Sequence, residues 1–182
     1  MNTLLKLFAV LIALLLLYLY PLSAAFDQQD DISELVAMRA TTSFVDAVRD
    51  KGGITPAMYN DFMAALAATG NSFAVEMEHG GKTYVPVYED PTRPETFRGT
   101  YEIHYDSFYN AQILPVLFPN NTLAKDDPSR RYRMRVGDSF SVMVRNTNRT
   151  AGTLIFDMLN NTISPNEKIV IPYGGTVRHA MD

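Results

Sequence analysis

There is no cysteine anywhere in the chain. That single absence removes a disulfide scaffold, a thiolate zinc site and a thiol nucleophile together. No run of five or more basic residues occurs. With 16 Lys and Arg against 20 Asp and Glu, the formal net charge is −4, which argues against a nucleic-acid partner. No glycine-rich loop follows a strand and opens a helix, so no nucleotide fingerprint is present and no cofactor is expected. Internal repeats and low-complexity linkers are missing too. What remains is a globular composition, 47% hydrophobic over 182 residues. A domain of this size buries roughly two thirds of its unfolded surface and can hold a core without metal or disulfides.

The first 26 residues stand apart. Lys6 precedes an uncharged run from Leu7 to Tyr20, followed by Pro21-Leu22-Ser23-Ala24-Ala25 and then Phe26-Asp27. Two readings fit. As a signal peptide, the segment has a basic start, an apolar stretch, a helix-breaking proline, and Ser23 and Ala25 at the −3 and −1 positions of a cleavage site. As an anchor, residues 4–25 reach about 33 Å at 1.5 Å per residue, enough for a hydrocarbon core of about 30 Å. Tyr18 and Tyr20 would then lie in the outer interfacial belt. Lys6 lies before the segment, while Asp27, Asp30, Asp31 and Glu34 follow it. Either way, the N-terminus is expected inside and the remainder outside.

The rest of the chain divides into an expected helical stalk, 27–70, and a β-rich head, 71–182, with 27–182 as one folding unit. Residues 28–50 carry Ile32, Leu35, Val36, Phe44, Val45 and Val48 at helical spacing, and Gly52-Gly53 ends the helix. A second helix is expected from Thr55 as N-cap and Pro56 at the first helical position, with Gly70 beyond its end. Its stripe is Tyr59, Phe62, Met63 and Leu66. Core packing accounts for both stripes. The competing reading gives the first helix a partner beside the membrane, with Leu35, Phe44 and Val48 as the subunit interface.

From Phe73 the period becomes two. Phe73, Val75 and Met77 alternate with polar or small residues, and Gly80-Gly81 predicts a hairpin pairing Met77 with Tyr84. Pro86 suggests an edge. A strand is expected over 100–105, a short helix from Asp106 or Ser107 through Leu114, and loop over 119–128. Arg131 to Val136 and Phe140 to Val144 predict a second hairpin matching Tyr132 with Val144. Residues 150–159 favour helix over strand, and 168–171 form a last strand before a Gly174-Gly175 turn. The fold class is α+β: a membrane or signal helix, two amphipathic helices, then a mainly antiparallel head with short inserted helices.

Few residues suggest chemistry. Gly137-Asp138-Ser139-Phe140 resembles the nucleophile block of GDSL-type hydrolases over those four residues only. No Asp-x-x-His pair follows it, and the surrounding pattern is strand–turn–strand, so a polar turn accounts for it. Glu102, His104 and Asp106 share one strand face, which reads as a solvated surface rather than a metal site. Neither His79 nor His179 has a neighbouring nucleophile pattern. No catalytic or metal-binding residue is assigned. Arg131, Arg133 and Arg135 would line one face of a strand. They are candidate anion-binding residues for a phosphate or carboxylate ligand, or the charges that keep an edge strand soluble.

Three stretches carry a family resemblance: Thr41 to Arg49 (TTSFVDAVR), Ile54 to Asn71, and Arg135 to Phe140 (RVGDSF). Over most of residues 30–145 the chain resembles small single-span bacterial proteins found alongside tight-adherence (Tad) pilus and related type II/IV secretion machinery. Members look like pseudopilin-type subunits with a membrane helix, a helical stalk and a small β-rich head. The resemblance implies a non-enzymatic, membrane-anchored role whose partners are other pilus or secretion subunits. The Gly-then-Glu processing motif of true prepilins is missing here, which points to an accessory role. The competing expectation is a secreted or tethered binding module for an anionic envelope ligand.

Overall fold

A computed structural model of the chain describes residues 3–124 and 126–181. Its backbone is one long helix with an antiparallel sheet against its second half. Helix α1 (Thr3–Lys51) runs unbroken for 49 residues. Its single interior proline, Pro21, removes one backbone hydrogen bond without ending it. The stop comes where expected: Gly52 adopts φ +69°, the left-handed conformation that glycine takes without steric cost. Arg49 and Lys51 lie in the last turn, where cations complement the helix dipole. Strand β1 (Gly53–Ile54) leads to α2 (Pro56–Ala67). There Thr55 accepts a hydrogen bond from the Met58 amide at 3.3 Å, closing the helix start.

The head contains β2 (Phe73–Tyr88), β3 (Phe97–Tyr109), α3 (Asn110–Leu117), β4 (Tyr132–Arg133), β5 (Ser139–Asn146), α4 (Ala151–Asn160) and β6 (Val170–Thr176). Four strands make one antiparallel sheet in the order β3-β2-β5-β6, and β1 pairs with β4 in a small separate ladder. The arrangement is α+β. Helical and sheet residues share one core, in which Phe44, Val48, Phe62 and Leu66 meet Met77, Phe140, Val142 and Val144. Phe44 stacks on Phe62 at 4.5 Å and meets Phe140 edge-on at 6.2 Å, both favoured aromatic geometries.

Several expectations need correction. Gly80-Gly81 is not a turn, because β2 passes straight through it. Met77 pairs with Val142 and Tyr84 with Ile103, not with each other. The glycine at 80 is a place of close approach, where an added Cβ would run into the Ser139 hydroxyl. Nor do β4 and β5 form a hairpin. Tyr132 pairs with Ile54, and Val144 lies between Val75 and Ile171. Gly174 and Gly175 are also strand residues, since a Cβ on Gly174 would lie 2.6 Å from that of Ser141. The helix α3 begins at Asn110, four residues after Asp106, because β3 continues to Tyr109.

The stripe on α1 is half right. Phe44, Val45 and Val48 are buried, but Ile32, Leu35 and Val36 face outward. The buried face in that half is Asp30, Ser33, Ala37 and Thr41. Small and polar side chains let α4 approach closely, and Thr150 at its start donates to Asp30 at 2.6 Å.

Candidate functional site

The strand pairings place the two ends of the molecule. Thr150, just after β5, bonds Asp30 early in α1. Arg49, at the far end of α1, donates from Nε to the Thr176 carbonyl at 3.0 Å, and Thr176 pairs with Ser139. Phe73 therefore lies toward the apolar segment, because it pairs with Asn146, and Gly80 lies toward the opposite end, because it pairs with Ser139. There β5 begins, yet β2 continues for eight more residues with only β3 beside it. At about 3.3 Å per residue this makes a two-stranded ribbon about 25 Å long, pointing away from the apolar segment.

Residues directly opposite in an antiparallel pair share a face. One face of the ribbon carries Tyr84, Tyr101, Ile103 and Tyr105, all at least half exposed. The other carries Thr83, Glu102, His104 and Asp106. His104 Nε2 lies 3.7 Å from Glu102, and Thr83 donates to Asp106 at 2.9 Å. No group of three His, Cys, Asp or Glu suited to a metal ion occurs among the described residues. Every residue of β3 is exposed, and the strand is an edge of the sheet. Exposed aromatic residues beside an unpaired strand edge are what β-strand addition and protein interfaces use.

A buried polar network holds the base of this ribbon. Just before β5 begins, the Asp138 side chain replaces the missing strand: Oδ1 accepts the Lys82 amide at 2.8 Å. Oδ2 accepts the Arg135 amide at 2.7 Å and lies 3.0 Å from His79 Nε2. Burial alone would push this carboxyl up, but the Lys82 and Arg135 amides and the His79 ring hold it below the usual carboxylate range. An ionised carboxylate only accepts, so Nε2 carries the proton. In the neutral ring, Nδ1 then accepts the Tyr132 O–H at 2.8 Å. Burial, and then the charge of Asp138, push the Tyr132 phenol up to about 12.

The order hydroxyl–imidazole–carboxylate is that of a hydrolase relay. Here the acid and base are buried, and the hydroxyl is a phenol that keeps its proton. Ser139, the residue suggested by the GDSL-like block, instead lies over Gly80 at the start of β5. The arrangement fastens three segments together. Sequence reasoning missed it because His79 and Asp138 are 59 positions apart, with no local spacing to connect them.

The other candidate residues are dispersed. The arginine row expected over 131–135 does not form, since β4 lasts only from Tyr132 to Arg133. Arg133 and Arg135 are exposed, while Arg131 is half-buried in a cleft shared with Asp61, Asp126 and Asp127. Neighbouring Arg130 is buried and donates to Asn121 and to the Leu123 carbonyl at 3.0 and 2.7 Å. Of the proposed interface residues, Leu35 is 66% exposed, but Phe44 and Val48 are 5% and 0% exposed. Those two belong to the domain's own core and cannot meet a partner in the folded protein. The exposed ridge of α1 is formed by Ile32, Leu35, Val36 and Met38. Beside its upper end, Val36, Ala40, Met58 and Ala65 line a shallow groove of about 440 Å³ between α1 and α2.

Helix α1 contains one segment long and apolar enough to cross a membrane. Comparison with family models, with curated proteins and with solved structures finds no match.

Proposed function

We propose that this chain is a membrane-anchored, non-enzymatic subunit of a bacterial surface assembly of the pilus or secretion kind, with its head outside the cytoplasm. The continuity of α1 carries the reading. One helix supplies both the apolar segment and the core residues Phe44, Val45 and Val48, so tether and head form a single rod. Such a rod sets a fixed height and orientation for the head above the bilayer. The aromatic ribbon then stands at the outermost end, and the ridge around Leu35 faces sideways close to the membrane.

Retention of the apolar segment is favoured by its fit to the head. Leu22, Ser23 and Phe26 are half-buried on the side of α1 that continues into Asp30 and Ser33. Cleavage after Ala25 would remove part of that packed face. Lys6 before the segment favours an internal N-terminus.

The test is photo-crosslinking in intact cells. A photoreactive residue is placed at Tyr101 on the ribbon, at Leu35 on the ridge, and at Asn160 as a control, with the N-terminal residue of the recovered protein determined. Adducts to other envelope subunits from positions 101 and 35, on a chain beginning near Met1, support the proposal. Recovery of unlinked protein from the medium, beginning at Phe26, would overturn it.

A further inference from the structure

Helix α4 has its polarity reversed. In the helix of a soluble domain the apolar face turns inward and the polar face outward. Here Thr150, Thr153 and Asp157 turn inward and are buried, while Leu154, Phe156, Met158 and Leu159 are exposed. Ile163, in the turn that follows, is 91% exposed. Hydrogen bonds lock this orientation. Asp157 accepts from Thr162 at 3.1 Å, from the Ser164 hydroxyl at 2.6 Å, and from Arg149. Thr150 caps the helix start and donates to Asp30. Rolling the helix to hide its apolar face would break all of these.

The place of α4 along α1 says what covers that face. Gly152 is wedged against α1, where a Cβ would lie 2.5 Å from Asp30 Oδ2 and 2.9 Å from Asp27 Oδ1. Phe156, one turn on, lines a cleft with Asp27, so the first two turns of α4 lie beside residues 27–30 of α1. At 1.5 Å per residue, Asp27 and Asp30 lie about 3 and 8 Å beyond Ala25. The headgroup layer outside the hydrocarbon core is about 5–8 Å thick. The helix thus sits at the depth of the headgroups.

We infer that α4 is an interfacial helix that lays Leu154, Phe156, Met158 and Leu159 on the outer leaflet of the membrane crossed by α1. It gives the head a second contact with lipid and holds the rod at one tilt. The inference rests on the reading that residues 4–25 span the bilayer. Its ligand is a bilayer surface, recognised by apolar insertion rather than by a particular headgroup.

The chain has no tryptophan, so single-tryptophan variants of the full-length protein can report depth. Phe156→Trp, Met158→Trp, Leu11→Trp and Tyr101→Trp are reconstituted in phosphatidylcholine vesicles with and without brominated acyl chains. Fluorescence at 156 and 158 is expected to fall in brominated lipid, with a depth profile centred about 5–10 Å below the headgroup boundary. Position 11 should be quenched deeper, and position 101 not at all. Quenching at 11 without quenching at 156 and 158 overturns the inference and leaves the span intact, including when aqueous acrylamide also fails to reach 156 because a second copy covers it. Quenching at 156 and 158 without quenching at 11 overturns the span, and with it the placing of α4 on the leaflet that α1 crosses. Quenching at none of the three overturns both.

Discussion

Replacing Asp138 by Asn tests whether the carboxylate holds the ribbon in place. The aspartate offers two acceptor oxygens to the Lys82 amide, the Arg135 amide and His79 Nε2. Asparagine offers one, and its NH₂ group meets donors on the other side. His79 can adapt by changing tautomer, but a backbone N–H cannot. Whichever way the amide turns, either Lys82 or Arg135 loses its acceptor in a site where Asp138 is 2% exposed. An orphaned buried donor costs about 1–3 kcal/mol, and loss of charge weakens the surviving bonds, so the total is about 2–4 kcal/mol. That is a large share of a typical folding free energy of about 5–15 kcal/mol. Urea unfolding of the full-length protein in detergent micelles, followed by circular dichroism, measures the loss. Hydrogen exchange of the Lys82 amide reports opening at the ribbon base. A loss under about 1 kcal/mol with the Lys82 amide still protected would refute the reasoning, because a donor left without its acceptor costs at least that. The pH dependence has a definite sign. The folded carboxyl lies below its unfolded value of about 4, so its contribution is complete above that pH and is lost as pH falls through the folded value. Asp138→Asn should therefore flatten the acid limb of the stability curve.

Other substitutions separate core from surface. Phe44→Ala empties a site packed by Phe62 and Phe140 and should cost about 3–5 kcal/mol by the same unfolding assay. Leu35→Ala, on the exposed ridge, should stay within about 0.5 kcal/mol; an equal loss at both positions would contradict the packing described here. Gly52→Ala should lower stability by more than about 1–2 kcal/mol, since it combines φ +69° with a collision against the His179 carbonyl. An unchanged unfolding midpoint would show that the C-terminal residues do not pack there.

The amino-acid sequence alone determined the features set by neighbours along the chain. A long uncharged run, a glycine stop at Gly52 and the Thr55-Pro56 helix start are local signals, and each lies where the pattern puts it. The inward set Phe140, Val142 and Val144 was legible for the same reason, as period-two burial follows from the pleat. Tertiary structure decided the rest. Gly80-Gly81 has the chemistry of a turn, but pairing with β5 and β3 on either side keeps β2 extended through it. Phe44 and Leu35 are both apolar but lie nine residues apart, about 180° round a helical wheel; what packs against each side of α1 decides which is core and which is ridge. The Asp138–His79–Tyr132 network and the outward-turned α4 leave no local trace. Both depend on residues far apart in the chain that meet only once the sheet has closed on the helix. Hydrogen bonds of that kind are chosen by the fold, because a buried donor or acceptor takes whichever partner the packing brings within reach.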